Sequence, residues 1–318
     1  MTWVYLSPAT IREAVELVAE SPDETLIMGG GTFVMPWLTR GEVVPRRVVD
    51  LHAIPELRAV NVAPHTVEIG AGATYADLRR SLADEIPMLV NAAAGITGGP
   101  QIQNQGTLGG SAAYGSPSSD APALLVALDA RLVIGNRSGF RSVVATEFFR
   151  GQFSTALLSG DVLTAISVPR NNAGLPWGYV KLKRSESSWP IVSAAATVAR
   201  VESGDAQMSG HDSAHQLRVV VGAAAPVPIV VSARVETEGL SEWMEAVGEQ
   251  WRAATSATGW RQDELASADY RRRVAPVAIE RVLQQAHIRL LERMRRPAGS
   301  RRRHCEGPAR TDGRTEEA

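Results

Sequence analysis

The chain has 318 residues, 44% of them hydrophobic, enough to bury a substantial core in two or three domains. Its net charge of −1 balances 33 basic against 34 acidic side chains, which gives no global argument for nucleic acid or an anionic membrane surface. The single cysteine, Cys305, excludes an internal disulfide and an iron-sulfur cluster held by this chain alone, since such clusters take several thiolates.

The opening MTWVYLSPAT lacks the basic and apolar regions of a secretory signal. No apolar run reaches the roughly 18 residues of a spanning helix, so the expectation is a soluble, cytoplasmic protein with no membrane span. Ser7-Pro8 ahead of Ile11, Ala14, Val15 and Val18 predicts a capped amphipathic helix with proline at its first position. Leu26-Ile27-Met28 reads as a buried strand stopping at Gly29-Gly30-Gly31-Thr32. Phe33 to Arg40 then reads as a helix closed by Gly41, and Val48 to Leu51 as a second strand. Strand, helix and strand at such short spacing suggest a small βαβ-like unit.

From Val60 the pattern changes. Val67 and Ile69 alternate around Glu68, and Thr74 with Asp77 has capping-box spacing for a helix. Gly98 to Leu128 is dense in glycines and hydroxyls before it turns apolar after Asp120. Leu132–Ile134 and Phe140–Val144 flank a Gly-Asn-Arg-Ser-Gly turn as a hairpin, and Val162 to Val168 is a further strand. The first part is therefore expected to be α+β rather than a doubly wound sheet. A turn-rich stretch, Asn171 to Pro176, marks a domain boundary.

Beyond it, three strand-like runs (Tyr179–Leu182, Ile191–Val201 and Leu217–Ala225) precede helices near Ser241–Ala254 and Ser267–Met294, with Pro276 expected to kink or split the second. His211 and His215 stand four apart, but Gly210 and the polar residues around them read as a turn rather than a metal site. From Pro297 the chain is polar and expected to be disordered, and Arg301-Arg302-Arg303 reads as part of that solvated tail.

Two glycine loops carry the chemistry. Met28 to Phe33 offers successive backbone N–H groups unencumbered by side chains, a nest for a phosphate. Gly106 to Ser111 offers a second, with hydroxyls from Thr107 and Ser111. One glycine run alone serves a tight turn equally well; two such loops suit the two phosphates of a dinucleotide. Neither matches GxGxxG or a P-loop. Asp120, followed by Ala121-Pro122, reads as a helix N-cap, as a contact to a ribose or ribityl hydroxyl, or as both. No Ser/His/Asp set or carboxylate pair argues for hydrolysis.

These segments together resemble the FAD-binding medium subunit of the molybdenum hydroxylases, the xanthine dehydrogenase and carbon monoxide dehydrogenase family. The matching segments are Met28 to Pro36, Asp50 to Leu57, Ile69 to Leu78, Gln101 to Ser111, Gly115 to Ala130, Lys181 to Arg184 with Trp189-Pro190, and Asp269 to Arg272. The resemblance implies a two-part FAD-binding domain of the vanillyl-alcohol-oxidase (PCMH) type over 1–173, with subdomains of about 1–57 and 58–173. A C-terminal domain with a three-stranded antiparallel sheet and helices would follow over 174–296, and a disordered tail over 297–318.

It further implies that Met28, Gly29, Gly30, Gly31, Thr32 and Phe33 wrap the FAD pyrophosphate, and that Thr107, Gly110, Ser111, Ser116 and Asp120 bind the dinucleotide. Leu163 would make an apolar contact, Lys181 would lie near the isoalloxazine edge, and Trp189 would pack close to the ring. Departures stand at Gln103, Ser111, Gly115 and Ser188, where the family usually has Arg, Asn, Ala and Asp. The implied role is electron transfer through FAD to NAD or another acceptor. Partners would be an iron-sulfur (2Fe–2S) subunit and a molybdopterin-binding subunit. The departures also admit a degenerate flavoprotein scaffold, and a stand-alone flavin oxidase is the third reading.

Overall fold

A computed structural model describes residues 3–201 and 214–295. The expected tail, with Cys305 and the arginine triplet, and His211 lie outside the described residues.

The first layer is built from β1 (Val4–Leu6), α1 (Ile11–Glu20), β2 (Thr25–Met28), α2 (Val34–Arg40) and β3 (Arg47–Asp50). Its strands run parallel in the order β1-β3-β2, so the short strand–helix–strand unit forms as expected. Helix α1 starts one turn later than the Ser7-Pro8 signal suggests. Thr10 is the cap, accepting from the Glu13 amide at 3.1 Å, while the Glu13 carboxylate accepts from the Ala9 amide at 2.8 Å. These two bonds, one to the Thr10 hydroxyl and one to the Glu13 carboxylate, outweigh a proline two residues before the cap. Ala14, Val15 and Val18 bury against Val49, Leu51 and Ile54, as the period of the apolar residues requires.

The second layer opens with β4 (Val60–Val62) and β5 (Thr66–Gly70). Five short helices follow: α3 (Tyr75–Ser81), α4 (Pro87–Ala94), α5 (Gly99–Gln105), α6 (Leu108–Tyr114) and α7 (Asp120–Ala127). Then come the hairpin β6 (Arg131–Asn136) and β7 (Gly139–Val144), α8 (Ala145–Phe148), a small pair β8 (Phe149–Gly151) and β9 (Ser154–Thr155), β10 (Val162–Pro169) and α9 (Arg170–Ala173). The sheet is antiparallel in the order β4-β5-β10-β6-β7. The capping box at α3 is present in both directions, Thr74 to Asp77 and back. Helix α7 is buried along its whole length, which is why its sequence is apolar on every side rather than striped.

The third layer corrects the expected three-stranded sheet to four strands: β11 (Trp177–Lys183), β12 (Pro190–Val201), β13 (Ala214–Gly222) and β14 (Ile229–Val235), antiparallel in that order. In β14, Ile229, Val231, Ala233 and Val235 are buried while Ser232 and Arg234 are exposed, the alternation of a half-covered strand. His215 lies within β13 and is buried, not in a turn. Helices α10 (Leu240–Thr255) and α11 (Ala268–Arg295) cover this sheet. Pro276 does not split α11: it is exposed, while Ala275, Ala278, Ile279, Val282, Leu283, Ala286 and Leu290 on the other side are buried. That packed face outweighs one missing backbone bond, worth about 3 kcal/mol with its clash. Among the described residues, no helix is long and apolar enough to cross a membrane.

Two arginines are buried where α11 meets the sheet. Arg271, fully buried, donates to Ile191 O at 3.1 Å, to Arg261 O at 3.2 Å and to Asp263 Oδ1 at 2.7 Å. Arg261 donates to the other Asp263 oxygen at 2.7 Å, to Ala223 O at 2.9 Å and, across to the second layer, to Ser118 Oγ at 3.0 Å. One carboxylate is thus shared by two guanidinium groups. Burial alone would raise the Asp263 pKa, but the hydrogen bond and charge of Arg271 hold it below the ordinary carboxylate value. Replacing Asp263 by Ala strands both cations, and urea unfolding of the variant is expected to show a loss of about 3 kcal/mol near neutral pH. A carboxyl with a depressed pKa contributes stability above its ordinary value and loses it as pH falls. The gap between wild type and Asp263→Ala is therefore expected to narrow below about pH 4.

Candidate functional site: a glycine-lined cleft

The first and second layers meet in a cleft of about 430 Å³, within the range of small-molecule sites. Gly29 to Phe33, Thr107, Gly110, Ser111 and Leu163 all line it. The two glycine loops, distant in sequence, are thereby brought to one place.

They also touch. A β-carbon on Gly30 would stand 1.7 Å from the carbonyl oxygen of Gln105, so the first loop presses on the backbone that leads into the second. The bare backbone at Gly30 is required by this loop-to-loop contact. Gly31 has φ of +69°, a left-handed conformation that turns the chain from β2 into α2. Among the described residues, the N–H groups of Gly30, Gly31, Thr32 and Phe33 donate to no other protein group. Four successive free donors on a cleft wall are the chemistry an anionic group requires.

The second loop is not the nest that its composition suggests. Thr107 caps α6 by accepting from the Gly110 amide at 3.0 Å, the Ser111 amide donates to Thr107 O at 3.1 Å, and the Gly109 amide to Ala71 O at 3.0 Å. Its amides are mostly spent on the fold, and what it offers the cleft is the hydroxyls of Thr107 and Ser111. Behind Ser111, the Tyr75 hydroxyl donates to its Oγ at 2.6 Å.

Met28, Ser116, Asp120, Lys181 and Trp189 are not on the cleft wall. Met28 and Ser116 are buried. Asp120 is not the N-cap of α7: Ser119 occupies that position, and Asp120 sits in the first turn with its carboxylate turned to the third layer. Its Oδ2 accepts from Lys181 Nζ at 2.8 Å and its Oδ1 from the Tyr179 hydroxyl. Lys181 also donates to Gly95 O at 2.7 Å. Burial, and then the Asp120 charge, raise the Tyr179 phenol well above its ordinary pKa, so it stays protonated and remains a donor. Lys183 nearby is lowered by burial and then by the charge of Lys181.

Sequence reasoning missed an aromatic cluster at the cleft. Phe33 stacks on Tyr114 at 4.3 Å between centroids, with Trp37 and Trp189 at 6.1 and 5.7 Å from Phe33, and Tyr114 meets Phe153 at 5.0 Å. The one local signal was Phe33 and Trp37, spaced as neighbours on a helix face. Among the described residues, the aromatic contact of Trp189 to the cleft wall is with Phe33. His52 and Arg58 bring basic groups to the same wall. Aromatic and aliphatic side chains, free amides, two hydroxyls and basic groups in one cleft fit a dinucleotide with a planar ring system. Among the described residues, no cluster of His, Cys, Asp and Glu could hold a metal ion.

Comparison with known proteins agrees with this geometry. Residues 1–171 match the family described as the FAD binding domain in molybdopterin dehydrogenase. The carbon monoxide dehydrogenase medium chain of Hydrogenophaga pseudoflava is 31% identical, over 90% of this chain and 97% of that one. The nicotine 6-hydroxylase medium subunit of Paenarthrobacter nicotinovorans is 28% identical over the same shares. Among solved structures, carbon monoxide dehydrogenase from Hydrogenophaga pseudoflava superposes with a TM-score of 0.78 at 30% identity, covering 91% of this chain and 98% of that one. Quinoline 2-oxidoreductase from Pseudomonas putida 86 gives 0.78 at 26% identity, with 91% and 98% covered. With its glycine-lined cleft and a match that spans the first two layers, the chain belongs to the FAD-binding medium subunits of the molybdenum hydroxylases, oxidoreductase components whose cofactor is FAD.

Proposed function

We propose that this chain is the electron-transfer subunit of a cytoplasmic molybdenum hydroxylase. In this reading electrons reach it from iron-sulfur (2Fe–2S) clusters on one partner, which draws them from a molybdopterin-binding partner. They leave for NAD or another acceptor. With one cysteine in 318 residues, the chain leaves the clusters to a partner. The redox chemistry is that of FAD, and the protein's part is to bind, orient and shield it. The observation that carries the reading is the cleft wall of four free amides beside the Thr107 and Ser111 hydroxyls.

The amides of Gly30 to Phe33 hold the pyrophosphate charge, with the Arg58 guanidinium on the same wall adding favourable Coulomb energy. Leu163 and the aromatic cluster cover the planar part of the ligand and exclude water. Asp120 and Lys181 act from behind: their ion pair, with side chains 7% and 11% exposed, braces the loop between α6 and α7 against the third layer. Because Asp120 takes up the Lys181 charge, this lysine acts as a brace rather than as a free cation at the ring edge. In the same reading residues 1–173 form the FAD domain of PCMH type, and 174–296 the C-terminal domain.

Gly30→Ala forces the loops apart, and titration of FAD fluorescence is expected to show affinity about 100-fold weaker, the worth of two charge-assisted bonds. Unchanged affinity would remove the nest from the site. Asp120→Ala leaves the Lys181 ammonium without its buried partner and is expected to cost about 3 kcal/mol by urea unfolding, whereas the double variant Asp120→Ala/Lys181→Met recovers most of it. Purification with the two partner subunits, followed by substrate-driven bleaching of the flavin absorbance, tests the electron path. A complex whose flavin is never reduced by substrate would sink it.

A further inference from the structure

Tyr75 has no place in the glycine loops, yet it is tied to them. The Thr74–Asp77 capping box fixes the start of α3. An isolated bridge between Thr74 and Thr107 then seats that start on the second loop, through the Tyr75 amide to Gly106 O at 3.1 Å and the Leu108 amide to Ala73 O at 3.1 Å. The ring is 4% exposed and lies against Gly106, where a β-carbon would come within 3.3 Å of it. This seating delivers the phenolic oxygen to Ser111 Oγ at 2.6 Å.

Hydrogen accounting then gives the pair a direction. A tyrosine hydroxyl has one hydrogen, and among the described residues Ser111 is its hydrogen-bond partner. Burial raises the phenol pKa, so the hydrogen is present at neutral pH. If Ser111 donated instead, the phenol hydrogen would be buried without an acceptor, a costly arrangement. Tyr75 therefore donates, Ser111 Oγ accepts, and the serine hydrogen must point elsewhere. Ser111 lines the cleft.

We infer that Tyr75 is a positioning residue that fixes the Ser111 hydroxyl as a hydrogen-bond donor into the cleft, aimed at an oxygen acceptor of bound FAD. The inference rests on the FAD reading above. An amide carries donor and acceptor on separate atoms, while a hydroxyl such as that of Ser111 needs a neighbour to settle its direction.

A double-mutant cycle on the full chain tests it, with FAD affinity read by fluorescence titration. Ser111→Ala is expected to weaken binding about tenfold and Tyr75→Phe about fivefold, the scale of one oriented bond. In the Ser111→Ala background, Tyr75→Phe is expected to have no further effect, because its action passes through the serine. The same cycle with ADP assigns the acceptor: a matching loss places it on the pyrophosphate, no loss places it on the flavin half, and both uphold the donor. Wild-type affinity in Ser111→Ala overturns the inference, whatever the fate of Tyr75→Phe. So does an equal loss from Tyr75→Phe in both backgrounds, which would mark the tyrosine as packing only. A wild-type chain that binds no FAD overturns the underlying reading instead, and is distinguished by failing before any substitution is made.

Discussion

One buried carboxylate, Asp120, joins parts of the chain that local sequence does not connect. It stands in the first turn of a helix buried on all sides, and it receives Lys181 and Tyr179 from a strand of the third layer. Two charges taken out of water cost several kcal/mol each unless their remaining bonding capacity is met. Here both Asp120 oxygens are used, and Lys181 has Gly95 O as well. The arrangement tolerates little displacement, so the third layer holds the start of α7 and the loop that leads into it. A second link, Arg261 to Ser118, ties the same loop to the pair of arginines shared by Asp263. The cleft is lined by the first two layers, and the third is bonded to the segment that follows α6.

The cleft divides its labour between backbone and side chain. In the first loop the amides are free; in the second they close a helix turn, and the hydroxyls are what remain. Two stretches of similar composition thus do different work, because one leads out of a parallel strand into a left-handed glycine and the other is capped by its own threonine.

Much of this was legible in the residues, where the signal is local. The capping box at Thr74 and the hairpin around Asn136 and Gly139 depend on neighbours a few residues away, and they form as read, whereas the second glycine loop spends its amides on the fold. The fourth strand escaped because Pro226 and Pro228 announce a turn just before it, though its alternation was present. An acidic residue before Ala-Pro carries the local signals of a cap and of a ligand contact; that Asp120 faces a lysine depends on a contact 61 positions away. The same holds for Tyr114 and Phe153, which join the cleft through packing, and for Tyr75, which stands behind Ser111. Local chemistry names the elements, and tertiary contact decides which faces meet.

The close approach of Gly30 to Gln105 has a consequence for how such a chain drifts. The space is filled by the carbonyl oxygen of Gln105, which every amino acid possesses, and the Gln105 side chain is exposed. Position 105 is therefore open to substitution, while position 30 is closed to everything but glycine. Selection at this contact acts on one partner alone, so no compensating pair of exchanges would betray it in a set of diverging sequences.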